Sequence, residues 1–131
     1  MTSAQNLEAA IAELKGNFGG ELLRAGDPGY DAARKVHNGL IDKHPSVIAR
    51  CTGTADIVYA VKFGRQHGLE IAVRGGGHNV AGRSTVEGGL MIDLAPMKGI
   101  HVDAKARTVR VQGGVNWGEF NRETQLHGLA T

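Results

Sequence analysis

Residues 74–83 read Arg-Gly-Gly-Gly-His-Asn-Val-Ala-Gly-Arg and bring together residue types suited to holding an anion. Gly75, Gly76 and Gly77 carry no Cβ, so the backbone can take positive φ there and come close to a bound group. Successive N–H groups in such a turn can converge on a phosphate or pyrophosphate. Arg74 and Arg83 flank the run with positive charge, Asn79 offers a side-chain donor, and Val80 and Gly82 complete the loop. His78 adds a ring nitrogen that is nucleophilic when neutral, as a histidine largely is near pH 7. The same residues also suit a plain flexible turn with a surface histidine, so neighbouring elements must decide between a ligand cradle and a linker.

Two established phosphate-loop patterns can be laid on this stretch. Gly77 through Ser84 has the spacing of a P-loop, but Arg83 stands where the lysine that reaches the β- and γ-phosphates belongs. A P-loop also runs directly into a helix, whereas Glu87-Gly88-Gly89 predicts another turn. The dinucleotide pattern G-x-G-x-x-G finds no match within 75–82 with a helix behind it. A phosphate loop here therefore belongs to another architecture.

At 131 residues the chain has the length of one domain with a modest core, and 41% hydrophobic with 21% charged residues is the composition of a globular protein. The net charge of +2 comes from scattered Lys and Arg without a basic run, which gives no support for nucleic-acid binding. No stretch is long and apolar enough to span a membrane, and residues 1–15 lack the apolar core of a signal peptide, so a cytoplasmic setting is expected. Cys51 stands alone and reads as a small core residue. His37, His44, His67, His101 and His127 show no metal-ligand spacing, and His101 and His127 read as surface residues. The 20 glycines are about twice the usual share and gather after residue 64, as tight turns near a ligand would require.

The elements that would position the loop follow from periodicity. Leu7, Ile11 and Leu14 make a helical stripe over 5–15, ended by Gly16. Residues 21–24 predict a short strand before the turn Gly26-Asp27-Pro28-Gly29, and residues 30–38 a helical turn. Residues 46–51 predict a buried strand. A helix over 55–67 follows, with Thr54 as its N-cap, Ile57, Val58, Val61 and Phe63 on its apolar side, and Gly68 as its C′ residue. Residues 69–74 predict a strand parallel to 46–51 and adjacent to it, so the glycine loop leaves the C-terminal end of a strand, where open α/β sheets bind ligands. Residues 89–94, 99–103 and 108–112 predict three more strands, the last two joined as a hairpin. A final helix is expected over 115–127, with Trp117 anchoring it in the core.

Taken together, Ala49-Arg50-Cys51, Val73 through Asn79, Met91 through Leu94 and Val111 through Gly118 resemble the N-terminal flavin-binding part of the berberine-bridge-enzyme-like oxidoreductases, in the vanillyl-alcohol oxidase and p-cresol methylhydroxylase superfamily. The resemblance covers about residues 18–131. Behind the N-terminal helix over 1–17 that periodicity predicts, it implies an α+β fold of that FAD-binding type: a pyrophosphate-binding βαβ subdomain over 18–95 and the start of a second subdomain over 96–131. It implies FAD as cofactor, with Arg74, Gly75, Gly76, Gly77, His78, Asn79, Val80 and Gly82 around the pyrophosphate and Asp93 and Leu94 nearby. It also implies an 8α-histidyl link through His78 and, in the whole enzyme, oxidation of an alcohol, sugar or related small molecule by hydride transfer to flavin. No substrate base can be named among these residues. A non-catalytic domain for a phosphate ligand remains the alternative from the residues alone. Family members are several times longer, so Ile92, Val109, Val111 and Trp117 are expected to be poorly covered and to favour self-association.

Overall fold

The computed structural model describes residues 3–131. Helix α1 (Ala4–Asn17) starts where the Ser3 hydroxyl accepts the Asn6 N–H, and it buries Ala10, Ile11 and Leu14. It runs through Gly16 instead of stopping there, and ends where Phe18 turns extended and enters the core. Strand β1 (Glu21–Leu23) leads into the expected turn, closed by the Arg24 N–H donating to the Asp27 carboxylate, and then into the short helix α2 (Tyr30–Arg34). Strand β2 (Val47–Arg50), helix α3 (Thr54–Gln66) and strand β3 (Ile71–Arg74) follow as strand, helix, strand. Strand β4 (Leu90–Asp93) completes one sheet, and β5 (Ile100–Asp103) pairs with β6 (Thr108–Val111) as an antiparallel hairpin. Helix α4 (Trp117–Thr124) and a single 3₁₀ turn (Gln125–His127) lie near the end.

The sheet order β1-β2-β4-β3 corrects one expectation. Strands β2 and β3 do run the same way, but β4 lies between them and pairs in parallel with both. The physical reason is visible in the strands themselves. Leu90-Met91-Ile92-Asp93 is buried along its whole length, as the middle of a parallel sheet covered on both faces demands. β3 leaves Val73 55% exposed and Ile71 at the margin, so it takes the edge. Ile92, expected to be poorly covered, is therefore 1% exposed.

Helix α3 supplies two further corrections. Gly53 occupies its N-cap position and Thr54 is the first helical residue. No side chain caps the helix; instead the Asp56 carboxylate in its first turn ties the preceding segments to it, accepting the Thr52 N–H at 2.9 Å, the Thr52 hydroxyl at 2.8 Å and the Gly19 N–H at 2.8 Å. The buried face is Asp56, Ala60, Phe63 and Gly64, while Val58 and Val61 point outward. Gly68 takes φ +61 just past the helix, as a C′ glycine does.

The main core joins α1, α3, β2 and β4 through Ile11, Leu14, Phe18, Val47, Phe63 and Leu90 among others. A smaller cluster of Leu23, Tyr30, Ala33, Ile48 and Met91 fills the other face of the sheet, where the Tyr30 hydroxyl donates to the Pro45 carbonyl at 2.6 Å. Cys51 is fully buried, as its sequence context suggested. At α4, Asn116 and Glu119 form a capping box. Phe120 anchors this helix, whereas Trp117 is 69% exposed and meets Phe120 edge to face. His101 and His127 lie exposed. Among the described residues no helix is long and apolar enough to cross a membrane.

Candidate functional site

The three parallel strands end together, with Arg50, Asp93 and Arg74 in register across β2, β4 and β3. The glycine loop leaves the β3 end, at the edge the βαβ order called for. Its carbonyls are tied to one neighbour. The His37 N–H donates to Gly77 O at 2.8 Å, Asn38 Nδ2 to Val80 O at 2.9 Å, and Lys43 Nζ to Gly82 O at 3.4 Å. Within the loop the Gly82 N–H donates to Asn79 O, and the Arg83 N–H to Asn79 Oδ1. Among the described residues, the backbone N–H groups of 75–81 donate to no protein acceptor. Three of the loop's carbonyls are thus taken by the 37–43 segment, while the N–H groups of 75–81 are left over.

The glycines are required by how closely other backbone approaches. A Cβ on Gly75 would stand 2.8 Å from Gly113 O, and one on Gly76 would stand 3.3 Å from Asn116 Oδ1 and from the His78 ring edge. Gly77 and Gly82 adopt φ +76 and +71, and a Cβ on Gly82 would run into the Ile41 side chain. The Gly113–Asn116 turn, which leads into α4, therefore forms the opposing wall. None of Gly113, Asn116, His37 or Asn38 stood out in the sequence as part of this site. Gly113 and Asn116 lie in the 111–118 block that carries the family resemblance, without being singled out for the site, and the Asn38-Gly39 pair carries a signal only for a turn.

Arg74 is turned beneath the loop. Its Nη1 donates to Ala33 O at 2.6 Å, and its Nε is buried under Gly77 with no protein partner. Its charge thus supports the loop from behind. His78 is exposed, and its ring stacks on that of His37 with centroids 4.4 Å apart and planes 21° apart. Val80 is 81% exposed. Asn79 spends its side-chain oxygen on the Arg83 N–H, which leaves its amide nitrogen as a donor.

Asp93 and Leu94 sit next to this loop but face inward. Asp93 is 1% exposed; its Oδ2 accepts Arg50 Nε at 3.2 Å and its Oδ1 accepts the Ala95 N–H at 3.0 Å. The Leu94 N–H donates to Arg74 O, and its side chain packs where a Gly113 Cβ would be, 2.8 Å away. Both carry out strand-end packing.

The arrangement fits a pyrophosphate group. Consecutive unpaired N–H groups, a buried arginine nitrogen without a partner and a backbone approach that excludes any Cβ are what an anionic diphosphate would satisfy. Comparison with known proteins points the same way. Residues 45–131 match the family model described as an FAD binding domain. The chain is 40% identical over 111 residues to (R)-6-hydroxynicotine oxidase of Paenarthrobacter nicotinovorans, covering 85% of this chain and 24% of that protein. It is 31% identical over 110 residues to an uncharacterised FAD-linked oxidoreductase of Bacillus subtilis, covering 84% and 24%. Among solved structures, 6-hydroxy-D-nicotine oxidase from Arthrobacter nicotinovorans superposes with a TM-score of 0.82 at 38% identity over 85% of this chain and 24% of that one. A BBE-like protein from Physcomitrella patens superposes with a TM-score of 0.83 at 26% identity over 91% and 26%. The chain spans about a quarter of the length of these relatives.

Proposed function

This chain belongs to the FAD binding domain family, of the type found in berberine-bridge-like oxidoreductases, and on that premise we propose that its glycine loop grips the FAD pyrophosphate and that His78 joins the flavin covalently. The observation that carries this reading is the run of unpaired N–H groups over 75–81, in the middle of which His78 carries an exposed imidazole. Bound FAD would supply a hydride acceptor, used by the intact protein to oxidise an alcohol, sugar or related small molecule.

The chain's own residues do the holding. Gly75 to Ala81 present N–H dipoles without the reorganisation cost that solvent would impose. Arg74 offsets phosphate charge from below, in a partly buried place where a charge acts more strongly than in water. The Gly113–Asn116 turn closes the second side, and its glycines bring backbone, not side chain, to the site. Asn79 Nδ2 adds a donor at the loop's far end.

The test is the visible spectrum of the purified intact protein, followed by acid precipitation. A yellow protein whose colour stays in the pellet supports both parts. Colour that moves wholly to the supernatant removes the covalent link and leaves FAD binding. A protein that never retains flavin, but holds another phosphate compound, favours the non-catalytic phosphate-binding reading.

A further inference from the structure

We infer that His37 is a positioning residue for His78: by stacking on its ring it sets the angle at which the His78 nitrogen is presented, and so the rate at which that nitrogen takes up flavin. This rests on the reading of His78 given above. The two rings lie nearly parallel with centroids 4.4 Å apart, although both residues are exposed and neither imidazole is held by burial. An exposed side chain keeps its rotamer freedom unless something holds it. Here that something is the partner ring, since offset aromatic pairs at this distance attract beyond simple area burial.

The pairing is built, because the backbone on each side of it is fixed. The His37 N–H donates to Gly77 O at 2.8 Å and Asn38 Nδ2 to Val80 O at 2.9 Å, so two bonds bracket His78 and Asn79. The 35–43 segment that carries His37 is closed at its base by Arg34, whose Nε donates to Asp31 Oδ1 at 2.8 Å while its Nη1 donates to Asp42 Oδ1 at 2.5 Å and to Lys43 O at 3.2 Å. Asn38 tightens the same loop by accepting the Leu40 N–H on its Oδ1. With His37 against one face and Gly76 beneath its Cδ2 edge, the His78 ring has few orientations left.

Ring orientation matters because attachment is directional. One N–C bond forms between a His78 ring nitrogen and the flavin 8α carbon. One N–H and one C–H bond break, and the two electrons and two protons released pass to dioxygen as hydrogen peroxide. A ring free to rotate reaches the required alignment in fewer encounters.

The experiment compares wild type, His37→Ala and His37→Phe in the intact protein, made flavin-free and then incubated with FAD in air. Flavin retained at neutral pH and flavin retained after acid precipitation are followed over time. His37→Ala should slow the acid-stable fraction roughly two- to tenfold, the size expected for loss of one aromatic pair, while flavin retained at neutral pH stays as in wild type. His37→Phe, which keeps the stack without ring nitrogens, should restore the rate. In flavin-free protein, modification of His78 by diethyl pyrocarbonate should be faster in the alanine variant than in wild type. Equal attachment rates in wild type and His37→Ala overturn this inference and leave the covalent reading standing. A parallel fall in total and acid-stable flavin, or failure of phenylalanine to restore the rate, also overturns it by showing a general loop defect or a role for the ring nitrogens. A wild type whose flavin is wholly released by acid overturns the covalent reading itself, and this inference with it.

Discussion

Strands β3 and β4 lie side by side, run the same way and end in register at Arg74 and Asp93, yet their ends are built on opposite principles. The β4 end is closed. Asp93 is buried with both oxygens occupied, Leu94 is pinned by its N–H to Arg74 O, and the Gly114 N–H reaches back to Met97 O. The β2 end is closed as well, through the Cys51 N–H on Asp93 O and the Asp56 carboxylate on Thr52. The β3 end is open, with seven residues whose N–H groups have no protein acceptor among the described residues and a histidine directed outward. Unpaired backbone donors cost stability unless water or a ligand takes them, so the contrast separates strand ends that keep the fold from the one proposed above to hold the pyrophosphate. Substitutions at the closed ends should cost stability and, outside the Gly113–Asn116 wall, leave flavin retention per folded molecule alone; substitutions at the open end should do the reverse.

The largest stability loss is expected from Gly114→Ala. Its Cβ would overlap Leu94 O and lie 2.8 Å from Met97 O, both backbone atoms that cannot swing aside, so a loss of about 3 kcal/mol is expected from overpacking. Denaturant melts of the intact protein measure it. Asp93→Ala comes next at about 2 kcal/mol. Removing one partner of a buried ion pair is costly, but Arg50 is partly exposed and keeps Glu21 at 3.3 Å. A loss of flavin retention in stably folded Asp93→Ala protein would make Asp93 part of the cofactor site and break the contrast.

Asp56→Asn follows at about 1–2 kcal/mol near neutral pH, because the amide points a donor at N–H groups that need an acceptor. Burial pushes the Asp56 carboxyl up, but hydrogen bonds from the Thr52 N–H, the Gly19 N–H and the Thr52 hydroxyl outweigh it and hold the group below the ordinary carboxylate range. A depressed carboxyl stabilises the fold above its unfolded pKa of about 3.9 and loses that contribution as pH falls through the folded value. Melts of wild type should therefore drop below about pH 4, and the difference between wild type and Asp56→Asn should shrink over the same window. A difference that is flat from pH 7 to pH 3 would show that these hydrogen bonds do not hold the Asp56 carboxyl below its unfolded value.

Local chemistry made much of this legible. The α1 stripe, the Gly26–Gly29 turn, the β5–β6 hairpin and the Gly68 stop all depend on residues a few positions apart, and each lies where its pattern predicts. The insertion of β4 between β2 and β3 depends on which strand is apolar on both faces, a ranking of segments that period-2 reasoning within one segment cannot make. Of the site, the glycine loop was legible because glycine's freedom is intrinsic. His37 was not, since its role comes from a stack with a residue 41 positions away, and neither was the Gly113–Asn116 wall, which reads as one more turn. Trp117 misleads by composition: a large aromatic at a helix start suggests an anchor, but the capping box fixes the helix phase so that Phe120 faces inward.

The smallest stability effect and the largest flavin effect should coincide in Gly77→Ala. The added methyl meets Arg74 Nε at 3.1 Å and Nη2 at 3.7 Å, the far end of a flexible side chain, and the Val36 Cα at an ordinary 3.6 Å. Steric room is therefore not the difficulty. The backbone at φ +76 is, since an L-residue held there costs about 1 kcal/mol. Part of that strain can be relieved by rotating φ toward negative values, which swings the following N–H, that of His78, out of line with the amides of Gly75 and Gly76 and turns the His78 side chain with it. A melt lowered by about 1 kcal/mol, together with at least a tenfold fall in flavin retained at neutral pH, is the expected result; tenfold corresponds to about 1.4 kcal/mol, the scale of one or two hydrogen bonds to a charged group. Denaturant melts and retained absorbance after gel filtration measure the two quantities on the same samples. A variant that melts as far below wild type as Gly114→Ala but holds flavin normally would mean that Gly77 serves the fold, and the open end of β3 would then be no different in kind from the closed end of β4.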